Sequence, residues 1–269
     1  MRPVNACIAG ASVLLIPAIS GKPWNPTLIG MSATAALAVM LIGAGGNVIN
    51  DYYDVETDRI NKPSRPLASG RVSRQSAFWE WLILSVSGVL LAGFQGRLCL
   101  GIAMVAVLAL WVYSLKLKRT LLIGNAVVSL VAGMSFIYAG AAVEYLSMAW
   151  IPAVFAALFH FGREILKDIE DTEGDQAIGA STLPLVKGMA FSKGVATCVF
   201  FVLLVLTVVP YLTGRFGEKY LAIIIGLFFP IILFTLISLW RNSTKPNLHR
   251  LNNILKLAMI IGLFSIWVG

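Results

Sequence analysis

Thirteen carboxylates are the scarce chemical resource of this 269-residue chain, and ten of them fall in two short stretches. Asp51, Asp54, Glu56 and Asp58 form the first; Glu164, Asp168, Glu170, Asp171, Glu173 and Asp175 form the second. Asn50-Asp51-x-x-Asp54-x-x-x-Asp58 lies directly over Lys167-Asp168-x-x-Asp171-x-x-x-Asp175, so aspartates recur at i, i+3 and i+7 in both. On a continuous helix these would share one face over two turns, within about 60° of one another. Carboxylates stacked in that way repel unless cations sit between them. A solvated acidic helix end accounts for one such cluster, but two matched clusters in an acid-poor chain point to chemistry. Oxygen-only ligands in pairs suit a hard ion, magnesium above all, which typically binds one or two carboxylates together with substrate phosphates. Two facing sets therefore predict a magnesium-bridged diphosphate site. Calcium shares the ligand preference, but no EF-hand loop spacing occurs.

Basic residues follow the first cluster. Arg59-Ile60-Asn61-Lys62-Pro63-Ser64-Arg65-Pro66 is broken by two prolines, which predicts an ordered loop in which Lys62 and Arg65 reach an anionic head. A further run, Tyr113-Ser114-Leu115-Lys116-Leu117-Lys118-Arg119, closes an apolar stretch. Its simplest reading is an ordinary basic membrane flank. There is no Walker motif and no GxGxxG, so nucleotide-driven transport and dinucleotide chemistry have no support.

The elements that must position these groups are membrane helices. Hydrophobic residues make up 58% of the chain and charged residues only 13%, about half the roughly 25% of a soluble domain. The sequence cannot cover a soluble surface, and it is too apolar for disorder. Nine spans of suitable length are read at roughly 4–20, 27–49, 77–95, 98–115, 121–142, 147–165, 189–213, 219–240 and 251–268, each uniformly apolar, with the first and last short. The first 20 residues also have the outline of a signal peptide, but Pro3, Asn5 and the eight later spans favour a first helix. Alternating strand patterns are absent. The three cysteines lie in apolar runs, away from any metal-binding spacing.

The net charge of +8 comes from 21 basic residues, of which 17 fall on alternate loops and the N-terminus. Lys22, Arg97, Arg215 and Lys219 are the exceptions. The positive-inside rule places the N-terminus, the basic loops and both acidic clusters in the cytoplasm. The basic excess points to membrane lipids and an anionic substrate as partners, and nothing points to nucleic acid or to an obligatory protein partner.

The first motif, Asn50-x-x-x-Asp54-x-x-x-Asp58, resembles the signature of the UbiA-type intramembrane prenyltransferases, and Asp171-x-x-x-Asp175 resembles their second. Tyr113 with Lys116 or Lys118 is similar to a shorter Tyr/Lys element, with neither lysine at the family spacing. Arg2-Pro3-x-Asn5, Gly162-Arg163-Glu164-Ile165-x-Lys167-Asp168-Ile169-Glu170-Asp171 and Gly179-Ala180-x-Thr182-Leu183-Pro184 are similar to a branch that builds archaeal ether lipids. The resemblance implies an all-α polytopic fold, one transmembrane domain over 1–269, with about nine helices around a central cavity open to the cytoplasm. It implies transfer of a geranylgeranyl group from its diphosphate to the free hydroxyl of geranylgeranylglyceryl phosphate, with Mg2+ as cofactor. Asp54, Asp58, Asp171 and Asp175 would be catalytic, and Asn50, Asp51 and Asp168 would join them as metal ligands. Asn50, Lys62, Arg65, Tyr113, Lys116 or Lys118, and Lys167 would bind substrate. An aromatic or quinone-precursor acceptor is the alternative within the same chemistry, and a cation-coupled transporter is the more distant one. A phosphorylated acceptor brings a second anion, for which Arg163, Lys167 and Arg71 are all candidates.

Overall fold

The computed structural model describes residues 3–269, with side chains from Ile8 onward, so Arg2 lies outside the described residues. The nine expected spans all form as helices: α1 (Pro3–Ile19), α2 (Pro26–Tyr53), α4 (Arg74–Phe94), α5 (Arg97–Leu115), α6 (Ile123–Ala142), α7 (Leu146–Glu170), α10 (Met189–Leu212), the pair α11 (Glu218–Ile223) and α12 (Phe229–Arg241), and α13 (Lys245–Val268). Eight are long and apolar enough to cross a bilayer, and α1 is shorter. Short helices α3 (Val55–Asn61), α8 (Thr172–Ala177) and α9 (Leu183–Lys187) fill the loops of one end.

Helix starts follow local chemistry. Asn25 Oδ1 accepts from the Leu28 N–H at 2.8 Å, with Pro26 in the first turn of α2, and Ser73 accepts from the Ser76 N–H at 3.0 Å to start α4. Inside the eighth span the chain makes a π turn over Ile224–Phe228 just before Pro230. Pro230 has no N–H to give the ladder, so a local change of winding is expected there. Ile224 and Phe228 both reach the central cavity from this turn.

Large apolar side chains such as Ile83, Leu90, Phe94, Phe201 and Leu212 point outward and are exposed, as a lipid solvent demands and water would not favour. The interior uses small residues for close approach. A Cβ on Gly133 would stand 2.6 Å from the Ala153 carbonyl oxygen, so glycine lets α6 lie against α7.

Two expectations change. The last span is not short: α13 runs 24 residues from Lys245 because the polar Lys245–Arg250 turns are already helical. The spans are also not all uniformly apolar. On α7, His160, Arg163 and Glu164 fall inside the expected span, and with Lys167 and Asp168 they recur at helical spacing and line the cavity.

The four basic loops converge at one end of the bundle. Ser181 N–H donates to the Arg119 carbonyl at 2.8 Å, joining the α5–α6 and α8–α9 connections. Lys245 Nζ donates to Asn61 Oδ1 at 3.0 Å, joining the start of α13 to α3.

Candidate active site

The two acidic motifs have the same backbone. α2 stops at Tyr53, and Asp54 sits at φ −94°, ψ 5° with its N–H on the Asn50 carbonyl. α7 stops at Glu170, and Asp171 sits at φ −94°, ψ 7° with its N–H on the Lys167 carbonyl. Each then re-enters a short helix, with Asp58 N–H on the Asp54 carbonyl at 2.7 Å and Asp175 N–H on the Asp171 carbonyl at 3.1 Å. The expected continuous ladder is therefore broken at its middle aspartate in both halves. The bridge-region backbone at Asp54 and Asp171 ends the long helix and starts the short one.

Those two short helices pack together, and this brings the halves face to face. Gly174 of α8 leaves no room for a Cβ, which would run into the Asn61 amide and Thr57 of α3. Asn61 is fixed on both sides: its Nδ2 donates to the Asp171 carbonyl at 3.1 Å, and its Oδ1 accepts from Lys245. Lys62 Nζ crosses the same gap and donates to both carboxylate oxygens of Asp171, at 2.8 and 2.7 Å.

Basic side chains stand among the acids. Arg65 Nη1 donates to Asp58 at 2.7 and 2.6 Å and to Asp51 at 3.2 Å. Lys118 is paired with Asp54, which also accepts from Asn50 Nδ2 at 2.7 Å. Asp168 accepts from Asn125 Nδ2 of α6 at 2.7 Å, and Lys167 is paired with Glu164. Asp54, Asp58 and Asp175 are all buried. Burial raises the Asp58 carboxyl above its ordinary value against the pull of Arg65. Burial also lifts Asp175 to about 6; Lys118 opposes this, while the charges of Asp171 and Asp54 add to it. Burial works against a charged Lys118, but Asp54, with help from Asp171 and Asp175, prevails and raises it.

Beneath this mouth lies a cavity of ≈ 370 Å3. Asn50, Asp58, Lys62, Arg65, Lys118, Asp171 and Asp175 ring its polar end, and Ile42, Ala103, Phe136, Phe155, Leu203 and Phe228 are among its apolar walls. Tyr113, Lys167 and Asp168 also line it. Three expected site residues are not part of the lining. Asp54 stands just behind it, bonded to Asn50 and Lys118; Asp51 backs Arg65; Lys116 ends α5 and does not reach the cavity. A 3-10 turn, Leu117–Arg119, swings Lys118 inward instead. Asn61 and Lys245 complete the site with no motif spacing to mark them, and Asn125, a polar residue of the fifth span, holds Asp168.

The donor set fits a hard divalent ion, since the facing motifs offer buried carboxylate and amide oxygens and neither sulfur nor imidazole. Among the described residues no three His, Cys, Asp or Glu side chains are gathered tightly enough to hold an ion. Lys62, Arg65 and Lys118 occupy the space between the acids.

Residues 7–260 match the model of the UbiA prenyltransferase family. The chain belongs to that family. Curated UbiA relatives align over nearly its whole length. Digeranylgeranylglyceryl phosphate synthase of Methanopyrus kandleri is 36% identical, covering 98% of this chain and 95% of the relative. The enzyme of the same name from Thermococcus kodakarensis is 35% identical, covering 100% and 95%. Among solved structures, one of digeranylgeranylglyceryl phosphate synthase superposes with TM-score 0.75 at 32% identity, over 99% of this chain and 93% of that one. A UbiA homolog from Archaeoglobus fulgidus bound to GPP and Mg2+ superposes with TM-score 0.72 at 17% identity, over 98% and 97%, and shares the fold. The chain is thus a multi-pass membrane prenyltransferase of the UbiA family.

Proposed function

We propose that this chain moves a geranylgeranyl group from geranylgeranyl diphosphate to the free hydroxyl of geranylgeranylglyceryl phosphate, forming an ether bond in archaeal lipid synthesis. The observation that carries the reading is the α3–α8 contact, which sets two acidic half-motifs opposite each other over an apolar cavity. Full-length similarity to enzymes of that name supports the choice of acceptor.

In this reading Asn50, Asp54, Asp58, Asp171 and Asp175 would hold magnesium, with Asp168 and Asp51 in support. Magnesium supplies charge neutralisation for the diphosphate as it leaves. Lys62, Arg65 and Lys118 leave their aspartate partners and turn to the phosphate oxygens, with Tyr113 beside them in the wall. Their positive charge stabilises the negative charge that grows on the leaving group as the allylic C–O bond breaks. The phenylalanine-rich wall keeps water from the electron-deficient prenyl carbon, and the acceptor hydroxyl attacks it. The whole chain acts as one transmembrane domain. The end that carries the basic loops faces the cytoplasm, as the positive-inside rule requires.

The test is transfer by the purified full chain from labelled geranylgeranyl diphosphate to a panel of acceptors. Magnesium-dependent formation of digeranylgeranylglyceryl phosphate, abolished by chelator, is expected. A product only on aromatic acceptors would overturn the acceptor, and full turnover in chelator would overturn the metal. Labelling of a cysteine placed at Lys187 checks the orientation, since it must react from the cytoplasmic side alone.

A further inference from the structure

The cations of the cavity fall into two groups. Lys62, Arg65 and Lys118 are bonded to motif aspartates, as befits the diphosphate end. Arg163 and Lys167 of α7 and Lys256 of α13 line the wall further along. Arg163 is buried, at 7% exposure, and is held within electrostatic reach of Glu164 and His160. Lys167 is paired with Glu164, and Lys256 donates to Asn253 Oδ1 at 2.9 Å. Arg71, the remaining candidate for a second anion, is tied outside the cavity to Ser69 and the Ser64 carbonyl.

We propose that Arg163, Lys167 and Lys256 form a separate subsite for the phosphomonoester of the acceptor; the proposal rests on the functional reading above. Charge supports it. Three cations less the Glu164 carboxylate leave two positive charges, which match a phosphomonoester dianion better than a single carboxylate. A buried arginine offers such a group its planar fork. Spacing supports it too. Lys167 lies one helical turn from Asp171 and Arg163 about two, which is roughly 6 and 12 Å along α7. The free hydroxyl and the phosphate ester of a glycerol are at most two carbons apart. With the hydroxyl at the reacting carbon beside the diphosphate, the acceptor's phosphate lies only a few ångströms further on, within reach of cations one to two turns along α7. The subsite thus selects the acceptor and sets its hydroxyl in line for attack.

The experiment compares geranylgeranylglyceryl phosphate with its phosphate-free alcohol, using labelled geranylgeranyl diphosphate and the full chain. The wild type should favour the phosphorylated acceptor. Arg163→Gln and Lys256→Gln should each reduce the ratio of the two kcat/KM values about tenfold or more, chiefly through KM for the phosphorylated acceptor, and Arg163→Lys should recover much of it. Titration of geranylgeranylglyceryl phosphate without donor should show the same loss of affinity. Half-exposed Lys256 keeps the test available if Arg163→Gln misfolds. Equal losses on both acceptors, or an unchanged ratio in folded variants, would overturn the subsite while leaving the proposed function standing. A wild type indifferent to the phosphate would overturn both.

Discussion

The two acidic motifs share their backbone almost to the degree, yet they are supplied with positive charge very unequally. The first half's aspartates are well supplied: Arg65 of its own loop meets Asp58 and Asp51, and Lys118 from the 3-10 turn after α5 meets Asp54. The second half brings none to its own aspartates. Asp171 borrows Lys62 from the first loop, Asp168 takes a neutral amide from Asn125, and Asp175 is left with a carboxyl raised to about 6. A repeated backbone therefore provides two carboxylate arms, but the cations bonded directly to motif aspartates come from outside the second motif. In the proposed function, unequal basicity around two matched arms would favour one orientation of the diphosphate.

Removing either arm is the largest way to break the comparison. Asp54→Ala and Asp175→Ala should each cost about 10^2–10^3-fold or more in kcat while the folded protein still purifies. Comparable losses would show that the arms act as a pair despite their different surroundings. Next come the cations. Lys118→Ala and Lys62→Ala should each lower kcat/KM for the prenyl diphosphate by about ten- to a hundredfold, and the loss should exceed that of any cation substituted beyond the second motif, such as Lys187→Ala.

The raised carboxyl of Asp175 gives a pH test of the second half. Below about pH 6 its proton removes an anionic ligand, so magnesium affinity should fall as pH drops through 6. Stability runs the other way. The metal-free folded chain binds this proton more tightly than the unfolded chain, so Asp175 destabilises at neutral pH, and that cost is relieved as pH falls from 6 toward 3.8. Magnesium titration and thermal unfolding between pH 5 and 8 check both signs, and Asp175→Asn should remove the part of each that titrates near 6.

Smaller effects probe the joint and the bystander. Gly174→Ala pushes α8 off Asn61 and Thr57, at about 1–3 kcal/mol of overpacking. It should lower the melting temperature and raise the apparent KM for magnesium several-fold. Lys116→Ala should change stability and turnover by no more than about 0.5 kcal/mol, or roughly twofold, in contrast to Lys118→Ala.

The nine spans and their rough edges were legible in hydropathy, because apolar length is a property of each segment alone. The two motifs were legible because acid is so rare in such a chain. The break at Asp54 and Asp171 was not: no proline or glycine marks it, and i, i+3, i+7 spacing reads as one helix. It depends on α3 and α8 finding each other across more than 100 residues. The choice between Lys116 and Lys118 failed for a related reason, since counting residues assumes that α5 continues where the chain in fact tightens into a 3-10 turn. The polar stripe of α7 was readable at helical spacing, but the average apolarity of the span concealed it. Nothing in sequence ties Asn125 to Asp168 or Lys245 to Asn61.

The ion pairs that bind Lys62, Arg65 and Lys118 to the aspartates have a thermodynamic meaning. The diphosphate does not arrive at a bare positive patch; it arrives with its metal at a closed set of partners. In the proposed function the aspartates would turn to magnesium and Lys62, Arg65 and Lys118 to the phosphates, so binding would be a double exchange of partners. On that reading neither component alone would complete the exchange, because each would strand the other's partner in a low-dielectric site. On that reading donor and metal would bind as one.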